Sequence, residues 1–84
     1  MKKALNIEVV KQFVINNFLW GEGDGLHEGT SLLEKGIIDS TGILELVSFL
    51  EKTFRIHVEN DELLPENLDN LTNIAIFLDK KLGV

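Results

Sequence analysis

The 84-residue sequence predicts an all-α fold: a helical bundle in one domain, residues 1–84, with three longer helices, one short third helix and a long first loop. Three observations point there. Apolar residues recur at spacings of three and four in three separate stretches. The only alternating segment, Arg55-Ile56-His57-Val58, is too brief for a dependable strand. Glycine, proline and helix-capping residues stand at the breaks between the stretches.

The first helix is expected over about Asn6 to Leu19, with Ile7, Val10, Phe13, Val14, Asn17 and Phe18 on one face and Glu8, Lys11, Gln12 and Asn16 largely between them. Trp20 is read as a cover at the core edge, and the cluster Gly21-Glu22-Gly23-Asp24-Gly25 as a flexible connector that stops the helix. It is not a phosphate cradle, because its two carboxylates would repel phosphate and no Lys-Ser or Lys-Thr follows. The loop from Gly21 to about Asp39 is long for a structureless connection. It must return Leu26, Leu32, Leu33, Ile37 and Ile38 to the core, with one helical turn at Thr30–Glu34 and a bend at Gly36.

The second helix is expected from about Ser40 to Phe54, on the stripe Ile43, Leu46, Val47, Leu50 and Phe54. Gly42 in its first turn costs about 1 kcal/mol of helix propensity against Ala, explained by close approach of a partner or by tolerance near a helix end. Arg55–Val58 reads as an extended connector, and Asn60–Leu64 as a short helix ended by Pro65. The last helix starts at Asp69 or Asn70 as cap and buries Leu71, Ile74, Ala75, Leu78 and, at its end, Leu82. Lys80 and Lys81 suit its carboxyl end and Gly83 its stop.

Composition narrows the function classes. There are no cysteines, so any sulfur chemistry must come from a cofactor, and neither disulfides nor a thiolate metal site are available. Polar residues Asn6, Glu8, Lys11 and Gln12 interrupt the start, so no secretory apolar core forms, and no apolar run approaches a membrane span. A soluble, cytoplasmic monomer is the expectation. The net charge of −6 argues against nucleic acid. Between Asp39 and Asp69 lie eight acidic residues and only two basic ones, Lys52 and Arg55, an excess equal to the whole net charge. That half of the chain is a steering field for basic partner surfaces, or a set of solvated helix faces. The acidic residues include no run of alternating oxygen ligands of the kind a calcium loop needs, so no metal site is expected.

The most informative stretch is Asp39-Ser40-Thr41-Gly42-Ile43-Leu44-Glu45-Leu46-Val47. It puts a serine where a helix begins, beside free backbone N–H groups and the positive end of the helix dipole, a location that suits phosphate. Asp39 offers an equally good cap, which leaves the Ser40 hydroxyl free. Asp39-Ser40, Glu45-Leu46-Val47, Leu50-Glu51 and Phe54, with the acidic bias, chain length and element order, resemble the acyl carrier protein family and its peptidyl and aryl carrier relatives. The likeness runs through about the whole chain. Thr41 stands where the family usually has Leu, and Gly42 where fatty-acid-synthesis carriers often have an acidic residue. Pro65-Glu66-Asn67-Leu68 is closer to carriers of specialised pathways.

The resemblance implies a four-helix acyl-carrier-like bundle and a free-standing carrier that is no enzyme. Ser40 would carry 4′-phosphopantetheine, taken from coenzyme A by a phosphopantetheinyl transferase, with Asp39 flanking the site. The thiol of the arm would carry acyl or aminoacyl thioesters between activating and transferring enzymes of lipid, polyketide or nonribosomal peptide biosynthesis. Thr41, Glu45, Glu51, Glu59, Asp61 and Glu62 are the expected partner-binding residues, each exposed ion pair contributing about 0.2–1 kcal/mol. Ile43, Val47, Ile56, Val58 and Leu63 are read first as core, with shelter for a short chain as a second role. The alternatives are an unmodified acidic helical adaptor, including an inactive carrier homologue, and a small hydrolase using Ser40. The hydrolase would need a histidine close by, whereas His27 and His57 read as surface or edge residues.

Overall fold

The computed structural model describes residues 2–19, 21 and 26–83, the side chains of 2–5 excepted. The expectations for Trp20 and for Glu22–Gly25 lie outside the described residues. Four α-helices follow in order: α1 (Lys2–Phe18), α2 (Ser40–Phe54), α3 (Pro65–Leu68) and α4 (Leu71–Leu82), with a 3-10 turn at Asn60–Glu62. No strand occurs among the described residues. The all-α bundle with a short third helix is therefore the fold.

The core draws on all four helices. Ile7, Val10 and Val14 of α1, Leu46, Val47 and Leu50 of α2, Leu68 of α3 and Leu71, Ile74, Ala75, Phe77 and Leu78 of α4 are buried together. The first loop adds Leu26, Leu32 and Ile38 and the second connector Val58. One polar side chain joins them: Asn6 of α1 donates from Nδ2 to Asp79 Oδ1 of α4 at 3.3 Å.

The α2 boundaries follow from local chemistry. Asp39 has extended backbone and its carboxylate accepts the Gly42 N–H at 2.7 Å, satisfying one of the orphan donors of the first turn. The helix ends where Arg55 turns left-handed, with φ 56° and ψ 46°. Asn70 caps α4 by accepting the Asn73 N–H at 2.8 Å, and Gly83, at φ 76°, closes it.

Four expectations change. The first helix starts at Lys2, not near Asn6, because Lys, Ala and Leu are strong helix formers that need no cap to extend it. Pro65 opens α3 instead of ending a helix, its missing N–H falling where no intrahelical partner exists. The residues before it form only the 3-10 turn, in which Glu59 and Glu62 make a reciprocal capping box. Leu33 and Leu82, expected inside, are each 41% exposed.

Gly42 is explained by internal packing. A Cβ there would meet Ile38 Cγ2 and Phe18 Cε1 at 3.0 Å each, so the end of α1 and the first loop close directly onto the backbone of α2.

Candidate functional site

Ser40 is the first residue of α2 and is exposed. Asp39 occupies the cap position and takes the Gly42 N–H, so the serine hydroxyl is not needed to finish the helix. The N–H groups of Ser40 and Thr41 have no intrahelical acceptor, and the helix dipole places partial positive charge there. A phosphodiester on the Ser40 oxygen would meet an open position beside the N–H groups of Ser40 and Thr41, with the Asp39 carboxylate, held on the Gly42 N–H, as the opposing charge; the residues present fit that group.

Beside Ser40 lies an apolar cavity of about 190 Å³. Ile43 of α2, Leu63 and Leu64 before α3, Pro65 and Leu68 of α3, Leu33 of the first loop and Asp69 complete its lining. Of the residues read as core or chain shelter, Val47 and Val58 are buried, whereas Ile43, Ile56 and Leu63 are only partly so. Ile43 and Leu63 reach the cavity wall. Leu33 and Leu64 were not expected there, since helical periodicity says which face is apolar but not which loop fails to cover it.

On the other side of Ser40 a more polar concavity is lined by Asn17 and Phe18 of α1, Gly36 and Ile37 of the loop, and Asp39, Thr41, Gly42 and Glu45. A larger hollow, about 480 Å³, lies between α1 and α2 around Phe13 and Phe49, whose rings stack at 4.0 Å. Phe49 is nine residues beyond Ser40, about two and a half turns, which puts it on the opposite edge of α2.

The predicted partner-binding residues divide in two. Thr41, Glu45, Glu59 and Asp61 are exposed, and among the described residues Glu45 and Asp61 pair with no cation. Glu51 and Glu62 are engaged within the chain. Glu51 Oε2 accepts the Val58 N–H at 2.9 Å and lies 3.6 Å from His57 Nδ1. Glu62 Oε1 accepts from the Glu59 N–H and from Lys81 Nζ, each at 2.9 Å. The Glu59 amide first, and the Lys81 ammonium second, hold the Glu62 carboxyl below its ordinary value.

Sequence reasoning missed Leu44. It follows Ser40 by one turn of α2 and is 60% exposed, the most exposed of the large apolar side chains described. The stripe assignment left it on the solvent side, and its apolar character there was the available signal. Neither histidine hydrogen-bonds to Ser40 among the described residues: His57 lies between Glu51 and Glu59, its Nε2 3.2 Å from Glu59 Oε2, and His27 takes part through its backbone.

Fold and site together define a small helical domain that presents one exposed serine at the head of its second helix, next to an apolar cavity. No family model matches the chain. It is, however, 31% identical over 67 residues to the probable acyl carrier protein PigG of Serratia sp., covering 80% of this chain and 77% of that protein. The chain belongs to the acyl carrier protein family, and its role is that of a carrier. Carriers of this family work with acyl-handling enzymes. Among the described residues no helix is long and apolar enough to cross a membrane.

Proposed function

We propose that Ser40 is esterified through its Oγ to 4′-phosphopantetheine, delivered from coenzyme A by a phosphopantetheinyl transferase. The chain then shuttles acyl or aminoacyl groups between enzymes of lipid or specialised-metabolite biosynthesis. The observation that carries this reading is the exposed Ser40 hydroxyl, released from capping duty by Asp39 in a member of the carrier family. When bound, the group supplies a thiol for thioester formation, which a chain without cysteine lacks.

The protein's own residues bind and orient. Asp39 fixes the first turn and so the direction of the Ser40 side chain. Leu44 offers an apolar contact one turn further on, and the exposed carboxylates of Glu45 and Asp61 are available to basic partner surfaces. Such pairs set orientation and on-rate more than affinity, which suits a carrier that must exchange quickly. Tethering raises the effective concentration of the cargo at each partner. The apolar cavity gives a small cargo a place out of water between visits.

Incubation with a fluorescent coenzyme A derivative and a broad-specificity phosphopantetheinyl transferase tests the assignment. Wild type and Ser48→Ala should take up label and Ser40→Ala should not. Equal labelling of Ser40→Ala would overturn it, and no labelling of a folded, unmodified sample would favour the acidic adaptor.

A further inference from the structure

Both chain neighbours of Ser40, Asp39 and Thr41, line the more polar concavity on the α1 side, together with Asn17, Phe18, Ile37 and Glu45. Its volume is about 350 Å³, nearly twice that of the apolar cavity on the other side of Ser40. The lining has acceptors to spare. Asn17 donates from Nδ2 to the Phe13 carbonyl at 2.9 Å, a bond that leaves its amide oxygen free to accept. Glu45 pairs with no cation among the described residues. No cationic side chain lines the concavity.

These features select an occupant. Two carboxylates without a cation repel an anion, so phosphate stays outside, at the head of α2. A neutral chain that brings N–H and O–H donors is favoured instead. The phosphopantetheine arm beyond its phosphate is such a chain, with two amides, a secondary hydroxyl and a dimethyl-substituted carbon. Its amides would lack partners in the apolar cavity. Phe18 and Ile37, both half-buried, offer the dimethyl carbon an apolar wall. Extended, the arm spans roughly 15 Å at the advance per bond of a peptide chain. Glu45 lies five residues beyond Ser40, about 7.5 Å along α2 and partly round it, within that reach.

We propose that this concavity between α1, the first loop and α2 is the resting groove of the arm while its thiol is free, with Asn17 and Glu45 as the acceptors of its amide N–H groups. This deepens the reading of Ser40 as the attachment point and rests on it. A basic partner surface that pairs with Glu45 takes one acceptor from the arm, so docking favours its release.

The test loads isotopically labelled protein with an unlabelled arm from coenzyme A, and intact mass verifies the loading. Isotope-filtered nuclear Overhauser contacts from the arm's methyl groups are then recorded, with the exchange rates of its two amide protons. The methyl groups should contact Phe18 and Ile37, not Leu63 and Leu64, and the amide protons should exchange about three-fold more slowly than in free pantetheine. Asn17→Ala and Glu45→Ala, both at exposed positions, should each restore faster exchange, whereas Glu45→Gln, which keeps an acceptor oxygen, should hold most of the protection. Failure of folded, unmodified wild type to load would overturn the attachment at Ser40 and the groove with it. Normal loading with methyl contacts at Leu63 and Leu64, with no contacts at all, or with exchange as fast as in free pantetheine would overturn the groove alone. Protection unchanged in both alanine variants would overturn Asn17 and Glu45 as the acceptors.

Discussion

At Gly42 the α2 backbone approaches Ile38 and Phe18 so closely that a methyl group would meet carbon atoms at 3.0 Å on two sides. Ile38 is buried and β-branched, and so has little freedom to yield. Overpacking of this kind costs about 1–3 kcal/mol, against about 1 kcal/mol gained from replacing Gly by Ala in a helix. Gly42→Ala should therefore destabilise the protein by about 1 kcal/mol, read as a lower urea midpoint at constant slope. The sequence shows Gly42 as a helix-propensity defect, but the residues that make it necessary come from α1 and the loop, which no local pattern reveals. Ser40 was more legible. An acidic cap beside a serine at a helix start is a short-range relation, and the hydrogen bond from Gly42 N–H to Asp39 has that form.

Helix α2 was readable to both ends, because its cap and apolar stripe are local. The segment between α2 and α4 was not. Pro65 can end a helix or begin one, and only the tertiary course decides. Glu59 and Glu62 look like free surface charges in the sequence, yet they form the capping box of the 3-10 turn, which Lys81 of α4 then ties down. This gives the turn a pH signature. The folded-state pKa of Glu62 is lowered from 4.5, so its stabilising contribution is present in full above that value and is lost as pH falls through the lowered one. Glu62→Gln should flatten the fall in stability below pH 4.5 and leave its course at neutral pH unaltered. Urea midpoints of wild type and variant between acidic and neutral pH measure this.

Across the whole molecule, one core joins all four helices and the first loop, and the acidic excess lies on the half that carries Ser40. A domain of this size has about 4–13 kcal/mol of stability in all. Leu50 is fully buried, and Leu50→Ala should remove about 2–5 kcal/mol, a large share of that total, read as a lower urea midpoint. The bundle was legible because burial enforces periodicity on every helix. The cavity beside Ser40 was not, since it exists only where Leu33, Ile43, Leu64 and Leu68 from separate segments meet without filling the space. The proposed attachment needs two properties together, a packed bundle and a hydroxyl left outside it, and Ser40 is exposed at the head of α2. The most direct test is intact-mass spectrometry of the purified chain before and after treatment with coenzyme A, magnesium and a phosphopantetheinyl transferase, followed by fragmentation of the peptide containing Asp39-Ser40. A gain of one phosphopantetheine, located on Ser40, is the expected result; an unmodified chain that gains none, or gains it at another serine, would contradict the attachment at Ser40.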